Sequence, residues 1–269
     1  MTTTITDPVE AAAELKRRVE KAGSMVFFGG AGVSTASGIP DFRSPNGLYN
    51  QRGYSYPPET MLSHSFYRSH TEEFFDFYRH VMCVPDAKPN RCHYKLAELE
   101  AAGKLTAVVT QNIDGLHLKA GSSSVIEIHG TLEERFCPHC GTEANASDCQ
   151  VPPRCRNCGG IVRPTVVLFG EQLPGAAIER LYDELETGFD MVFVIGTTAV
   201  FPYIAEPVLQ AVRAGIPTVE INPAHTRLSD QVKYHVPARA ATALSEIIRF
   251  MPAATASSGT AGKLDGGKR

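Results

Sequence analysis

Two C-x-x-C pairs, Cys137-Pro138-His139-Cys140 and Cys155-Arg156-Asn157-Cys158, constrain this 269-residue chain more than any other feature. Tetrahedral zinc takes four thiolates at about 2.3 Å each. A C-x-x-C knuckle brings two sulfurs of one short turn to the same ion, and Gly141 and Gly159 follow the pairs where such turns need backbone freedom. Four thiolates fill the coordination sphere and leave no place for water. Cys137, Cys140, Cys155 and Cys158 therefore predict one structural Zn2+, held in a ribbon over about residues 131–165. The alternatives are a redox dithiol, for which one pair would suffice, and a site in which His139 displaces a neighbouring cysteine. Cys83, Cys92 and Cys149 have no partner at ligand spacing and read as small buried or partly buried apolar residues.

The rest of the chain alternates between two patterns. Short continuous apolar runs fall at Met25–Phe28, Leu105–Thr110, Val125–Ile128, Val166–Phe169, Met191–Ile195 and Thr218–Ile221. Helical patterns fall at Val9–Ala22, Asn90–Ala102, Gly175–Thr187, Tyr203–Ala214 and Ala238–Phe250, the first opened by Asp7 as N-cap and Pro8 at the first helical position. Uninterrupted apolar strands alternating with helices predict an α/β fold: a Rossmann-like parallel sheet covered on both faces. Residues 44–88 break the rhythm with Tyr, Phe, His and Pro, and read as an inserted helical module with one helix over Thr71–Met82. Residues 1–6 are expected to be frayed, residues 7–251 to form the domain, and the Ala/Ser/Gly-rich residues 252–269 to be a disordered tail.

The first apolar run ends in Gly29-Gly30-Ala31-Gly32, a strand running into a tight turn of the kind that lets backbone approach a pyrophosphate. Alone this is a weak signal. Thr35 stands where the third fingerprint glycine would be, and Gln111-Asn112 where the acidic ribose ligand would be, so this is no ordinary dehydrogenase site. His129 follows the Val125–Ile128 run, at the C-terminal sheet edge where open α/β folds place their chemistry. Histidine is the natural base near neutral pH.

From Gly30 to Arg43 the sequence GAGVSTASGIPDFR resembles the cofactor loop of the sirtuin (Sir2-type) family. Gln111-Asn112-Ile113-Asp114 and His129-Gly130 resemble the next two family signatures; the four cysteines, Phe169-Gly170-Glu171, Gly196-Thr197-Thr198 and Ile221-Asn222 then follow in the family's order. Two places depart from it: Thr198-Ala199-Val200 replaces the more frequent Ser-Leu-x-Val, and Ala238-Arg239-Ala240 matches the late adenine-contacting segment only loosely.

The resemblance implies an NAD-dependent protein-lysine deacetylase. In such enzymes the acyl oxygen of the modified lysine attacks the nicotinamide-bearing ribose carbon. A histidine then takes a proton from a ribose hydroxyl, and the acyl group leaves on ADP-ribose. It implies His129 as the base, with Asn112 and Asp114 catalytic and lining the nicotinamide pocket. It implies NAD contacts at Gly30, Ala31, Gly32, Ser34, Thr35, Gln111, Ile113, Gly196, Thr197, Thr198 and Asn222, with Phe42 as an apolar lid and Arg43 toward a phosphate. It implies that Val167, Leu168, Phe169, Gly170 and Glu171 pair with the substrate backbone. Relatives that favour acidic acyl groups resemble one another in a Tyr-x-x-Arg pair; Phe75 and Tyr78 fall at those places here.

A net charge of -3 lacks the basic excess that nucleic-acid binding needs, so the zinc ribbon is not expected to be a nucleic-acid module. Residues 1–10 carry no basic or apolar leader pattern, and no apolar run is long enough to span a bilayer. A cytoplasmic monomer acting on acetylated proteins is expected. The competing activities are mono-ADP-ribosyl transfer, removal of longer acyl groups, and nicotinamide oxidoreduction, the last disfavoured by the altered glycine pattern.

Overall fold

The computed structural model describes residues 2–50, 53–84, 86–144 and 152–248. Its strands are β1 (Thr3–Thr4), β2 (Met25–Gly29), β3 (Leu105–Thr110), β4 (Val125–Glu127), β5 (Arg135–Phe136), β6 (Glu143–Ala144), β7 (Arg163–Pro164), β8 (Met191–Ile195), β9 (Thr218–Ile221) and β10 (Tyr234–Val236). Its α-helices are α1 (Pro8–Lys21), α2 (Pro58–Met61), α3 (His64–Ser69), α4 (Thr71–Phe77), α5 (Arg91–Ala101), α6 (Leu116–Lys119), α7 (Gly175–Thr187), α8 (Pro202–Arg213) and α9 (Ala240–Ile247).

Seven strands form one parallel sheet in the order β1-β10-β9-β8-β2-β3-β4. The chain leaves β2 outward through β3 and β4, returns to the other side of β2 at β8, and proceeds outward again. That reversal opens a crevice beyond the carboxyl ends of the central strands. All five residues of β2 are buried, because Met25 and Phe27 face α1, α5 and α9 while Val26 and Phe28 face α7 and α8. A strand covered on both faces has no polar alternation to show. On α1, Ala11, Leu15 and Val19 recur at intervals of four and pack against the sheet, and the Asp7 carboxylate accepts the Val9 N–H at 2.8 Å.

Three expectations are corrected. Within residues 1–6, expected to be frayed, Thr3 and Thr4 pair with Tyr234 and His235, and Ile5 is buried in the core. Pairing satisfies their backbone and Ile5 adds the apolar contact, which a composition-based reading of Thr-rich residues misses. Val166–Phe169 is extended but is not a sheet strand. Val167 N–H bonds to His129 O and Phe169 bridges Leu62 and His64, so the segment runs beside the helical module. The helix from Thr71 keeps α-geometry only to Phe77 and widens into a π turn over Tyr78–Met82. Cys92 is buried and Cys83 partly so, as expected. The expected tail 252–269, the end of the last predicted helix from Arg249, and Cys149 lie outside the described residues.

The helical module has its own core of Leu48, Phe66, Phe74, Phe75, Phe77 and Tyr78, closed by Leu168. The ribbon is a three-stranded antiparallel sheet, β6-β5-β7. Arg163 of the ribbon is 5% exposed and forks onto both Glu171 oxygens at 2.6 and 2.7 Å, with its plane over Tyr67 and Phe136.

Beneath the sheet edge, His93 of α5 and His117 of α6 lie 4.7 Å apart between ring centroids, and both are buried. His93 Nδ1 accepts the Asn90 N–H in a capping box. Burial lowers His93 to about 4, opposed by Asp114, and lowers His117 to about 3. Both pKa values lie below the unfolded value of about 6.5, so the unfolded chain binds more protons as pH falls. Their contribution to stability is complete above that value and is lost from there down to about pH 3. Each tenfold difference in proton affinity between the folded and unfolded chain corresponds to about 1.4 kcal/mol. Urea unfolding should therefore show a marked fall in stability between pH 7 and pH 5 that is shallower in His117→Phe. Identical pH slopes for the two proteins would contradict this.

Candidate active site

The carboxyl ends of β2, β3, β4, β8 and β9 converge on the crevice, and their loops are tied together by side chains. The Ser34 hydroxyl donates to Asp114 Oδ2 at 2.6 Å, and Asn112 Nδ2 donates to Ser34 Oγ at 3.0 Å and Gly30 O at 3.1 Å. Gln111 Nε2 reaches Thr197 Oγ1 at 2.8 Å, and Asn222 Nδ2 reaches Thr197 O at 2.8 Å. Ser34, Asn112, Thr197 and Asn222 are all buried. A network this closed fixes rotamers and leaves few ways to rearrange.

The glycines owe their identity first to one another. A Cβ on Gly30 would lie 2.7 Å from the Thr197 Cβ, and one on Gly32 2.7 Å from the Gly196 Cα. Gly196 itself has φ +63°, a conformation that side chains resist. The β2 and β8 loops thus touch backbone to backbone, with Gly32 N–H bonding to Gly196 O at 2.8 Å. Ala199, just beyond, is buried with φ +50°, a strained conformation of the kind that collects at functional sites.

His129 stands at the same edge. Its Nδ1 is 2.9 Å from Gln111 O and its Nε2 2.7 Å from the Tyr203 hydroxyl. Burial lowers its pKa, opposed by the Gln111 carbonyl, so the ring is neutral at neutral pH with a lone pair for a proton. Glu127, two residues earlier, is raised by burial to about 7, offset in part by the Thr131 hydroxyl.

Phe42 and Arg43 fall to one side of this network. Phe42 packs 5.4 Å from the Tyr49 ring, and the Arg43 guanidinium lies 5.3 Å over that same ring. Both Phe169 backbone groups are taken by Leu62 and His64, whereas Gly170 makes no backbone hydrogen bond among the described residues. Along Val167–Glu171 the N–H groups of Val167, Leu168, Phe169 and Glu171 are all engaged within the protein. Sequence reasoning missed Tyr203 and Phe201, which press on His129. Their signal was Phe201-Pro202-Tyr203 itself, a helix start close behind β8 at the carboxyl edge of the sheet.

The ribbon cysteines come together as their spacing predicts. The four sulfurs lie within 4.8 Å of one another, with Cys137–Cys158 at 3.5 Å and Cys140–Cys155 at 3.6 Å. Thiolates at about 2.3 Å from a tetrahedral ion lie about 3.8 Å from one another, close to these separations, so the set fits Zn2+. Gly141 and Gly159, at φ +71° and +73°, return their N–H groups to Cys137 O and Cys155 O and close each knuckle. His139 is exposed and stands outside the cluster.

A doubly wound sheet with polar loops converging at its switch point, joined to a four-thiolate ribbon, defines a dinucleotide-binding α/β protein with a structural metal module. The Sir2 family model matches residues 30–202. The chain is 51% identical over 193 residues to an NAD-dependent protein deacetylase of Clostridium acetobutylicum, covering 70% of this chain and 78% of that one. It is 42% identical over 250 residues to NAD-dependent protein deacylase 2 of Pseudomonas aeruginosa, covering 90% and 96%. A Sir2 homolog–NAD complex superposes with TM-score 0.82 at 34% identity, covering 93% and 95% of the two chains. A Sir2–p53 peptide–NAD+ structure superposes with TM-score 0.77 at 34% identity, covering 88% and 96%. The chain belongs to the Sir2 family. No helix among the described residues is long and apolar enough to cross a membrane.

Proposed function

We propose that this chain is an NAD-dependent protein-lysine deacetylase in which His129 is the general base. One observation carries the assignment of the base: a half-buried, neutral imidazole stands at the crevice edge with Nδ1 anchored on the Gln111 carbonyl. NAD supplies an ADP-ribose acceptor for the acyl group on loss of nicotinamide. Asn112 and Asp114 present amide and carboxylate groups toward the crevice, and Ser34 holds both at fixed distances. Thr197, Thr198 and Asn222 offer polar groups for phosphate and ribose. Ala31, Thr35 and Ile113 line the same loops, and Arg43 offers a permanent cation for phosphate. Val167–Glu171 receives the acetylated segment in extended form. Cys137, Cys140, Cys155 and Cys158 hold a structural Zn2+.

The enzyme acts as a cytoplasmic monomer; support for the compartment is the set of closely spaced thiols, which persists under reducing conditions. Incubating the protein with NAD, with and without an acetyl-lysine peptide, tests the activity. Peptide-dependent nicotinamide release with acetyl-ADP-ribose formation is expected. ADP-ribose attached to protein, with no acetyl-ADP-ribose, would point to the transferase alternative.

The acyl group handled best is acetyl or another neutral one. Phe75 and Tyr78 are buried in an aromatic core, and Arg79 is exposed beside Asp76 at 3.5 Å. A succinyl carboxylate would meet no cation there and would be stranded without water. Matched peptides should give kcat/KM about ten- to a hundredfold lower for succinyl than for acetyl, the size of a lost charge-assisted hydrogen bond. Equal values would mean that Arg79 reaches the acyl group.

A further inference from the structure

The bonds of His129 determine which nitrogen can take a proton. The Gln111 carbonyl only accepts, so Nδ1 carries the ring hydrogen and Nε2 holds the one basic lone pair. The Tyr203 hydroxyl, 2.7 Å from Nε2, must then be the donor. Burial raises that hydroxyl to about 12, so it keeps its proton at any working pH. The phenol is aimed by its surroundings. Tyr203 follows the Pro202 start of α8, stacks on Phe201 at 5.3 Å and 10°, and both rings stand edge-on to His129.

A base must hold the hydroxyl it deprotonates within about 2.6–3.2 Å of its lone pair. The one lone pair of Nε2 already serves Tyr203, and a second strong donor cannot share it. We propose that Tyr203 is a positioning residue that caps the base: its phenol occupies Nε2 in the free enzyme and is displaced when the cosubstrate hydroxyl arrives. This rests on reading His129 as the base. The cap keeps the ring neutral, in the Nδ1–H tautomer and correctly oriented, before any substrate is present. It also competes with the cosubstrate for the base. On displacement the phenol retains its proton; the substrate O–H proton passes to Nε2, and Nδ1–H stays on Gln111.

The other titratable groups near the ring are Glu127 on its own strand and Asp114 on the loop that supplies Gln111. Glu127 titrates near 7. Asp114 is engaged by Ser34 and the Leu116 N–H. Neither is bonded to the imidazole, and neither is altered by changing Tyr203.

Tyr203→Phe keeps the stacked ring and removes the hydroxyl. At saturating acetyl-peptide and pH 8, kcat/KM for NAD should rise about two- to tenfold, the size of one net hydrogen bond, with the gain in KM rather than kcat. A hydrogen bond donated to the neutral ring disfavours the imidazolium, so its loss should move the acid limb of the kcat/KM profile to higher pH. The acid limb of kcat, which reports the complex with the cap already displaced, should stay in place. An unchanged or lowered kcat/KM, an unmoved limb, or a kcat that falls with it would overturn the cap. Nitrogen-15 NMR of wild-type His129 is a check that needs no variant. The Nε2 resonance should shift on adding a non-hydrolysable NAD analogue without peptide, and an unmoved resonance in the analogue-bound protein contradicts displacement. His129→Ala separates the two readings. If it retains turnover, the base assignment fails. If it is inactive while Tyr203→Phe matches wild type, only the cap fails.

Discussion

Replacing His129 with alanine should lower the rate of acetyl-ADP-ribose formation by about 10²–10⁴-fold, the usual contribution of general-base catalysis, if His129 is the base proposed above. The loss should appear in kcat, because a general base acts on a proton in flight rather than on binding. The fold survives. The substitution removes two hydrogen bonds from the sheet edge and leaves the Gln111 carbonyl and the Tyr203 hydroxyl to find water. The backbone bond from Val167 N–H to His129 O, which anchors the segment after the ribbon, is untouched. Circular dichroism, zinc content and single-turnover product analysis make the check. Near wild-type turnover in a folded, zinc-loaded variant would remove His129 from the mechanism.

Cys140→Ala should produce a large loss of structure, confined to the ribbon. Among the described residues, the ribbon's own apolar core is Cys137, Cys155 and Val162, with Ala144 against it. That is far too little to order a module without a metal staple. In small zinc domains the metal contributes roughly 10–16 kcal/mol of apparent binding energy, which is folding energy there. Removing one of four ligands should lower metal content from one zinc per chain and open the ribbon to protease, while the parallel sheet keeps its circular dichroism. Metal-free protein with an unchanged melting profile and full activity would show that the ribbon does not depend on zinc.

The central strands were legible in the sequence because burial on both faces leaves uninterrupted apolar runs. Leu105–Thr110, Met191–Ile195 and Thr218–Ile221 coincide with β3, β8 and β9 to the residue. The cysteine cluster was legible because metal geometry constrains spacing directly. What escaped was held by partners distant in sequence. β1 is a pair of threonines, unreadable without Tyr234 and His235 beside it. Val166–Phe169 is as apolar as a sheet strand, yet its bonding partners are His129 and the helical module. Ser34, Asn112, Asp114 and His129, which lie together at one sheet edge, all fall in the motifs of the family resemblance. Tyr203 belongs to none of those motifs; the sequence shows its helix start, but its place against His129 depends on how α8 packs beside the end of β4.

The pairing of Thr3–Thr4 with Tyr234–His235 has a consequence for how the molecule is made. β1 precedes every other strand of the sheet in the chain, and the neighbour it requires, β10, follows all of them. α1 and α9, which flank the same core, are separated in the same way. During synthesis the α1 face and the β1 edge wait with their partners still unmade, so this flank of the domain is completed only after translation has passed β10 and α9. The ribbon's four cysteines all lie between Cys137 and Cys158, so that module is free to close around its metal well before then.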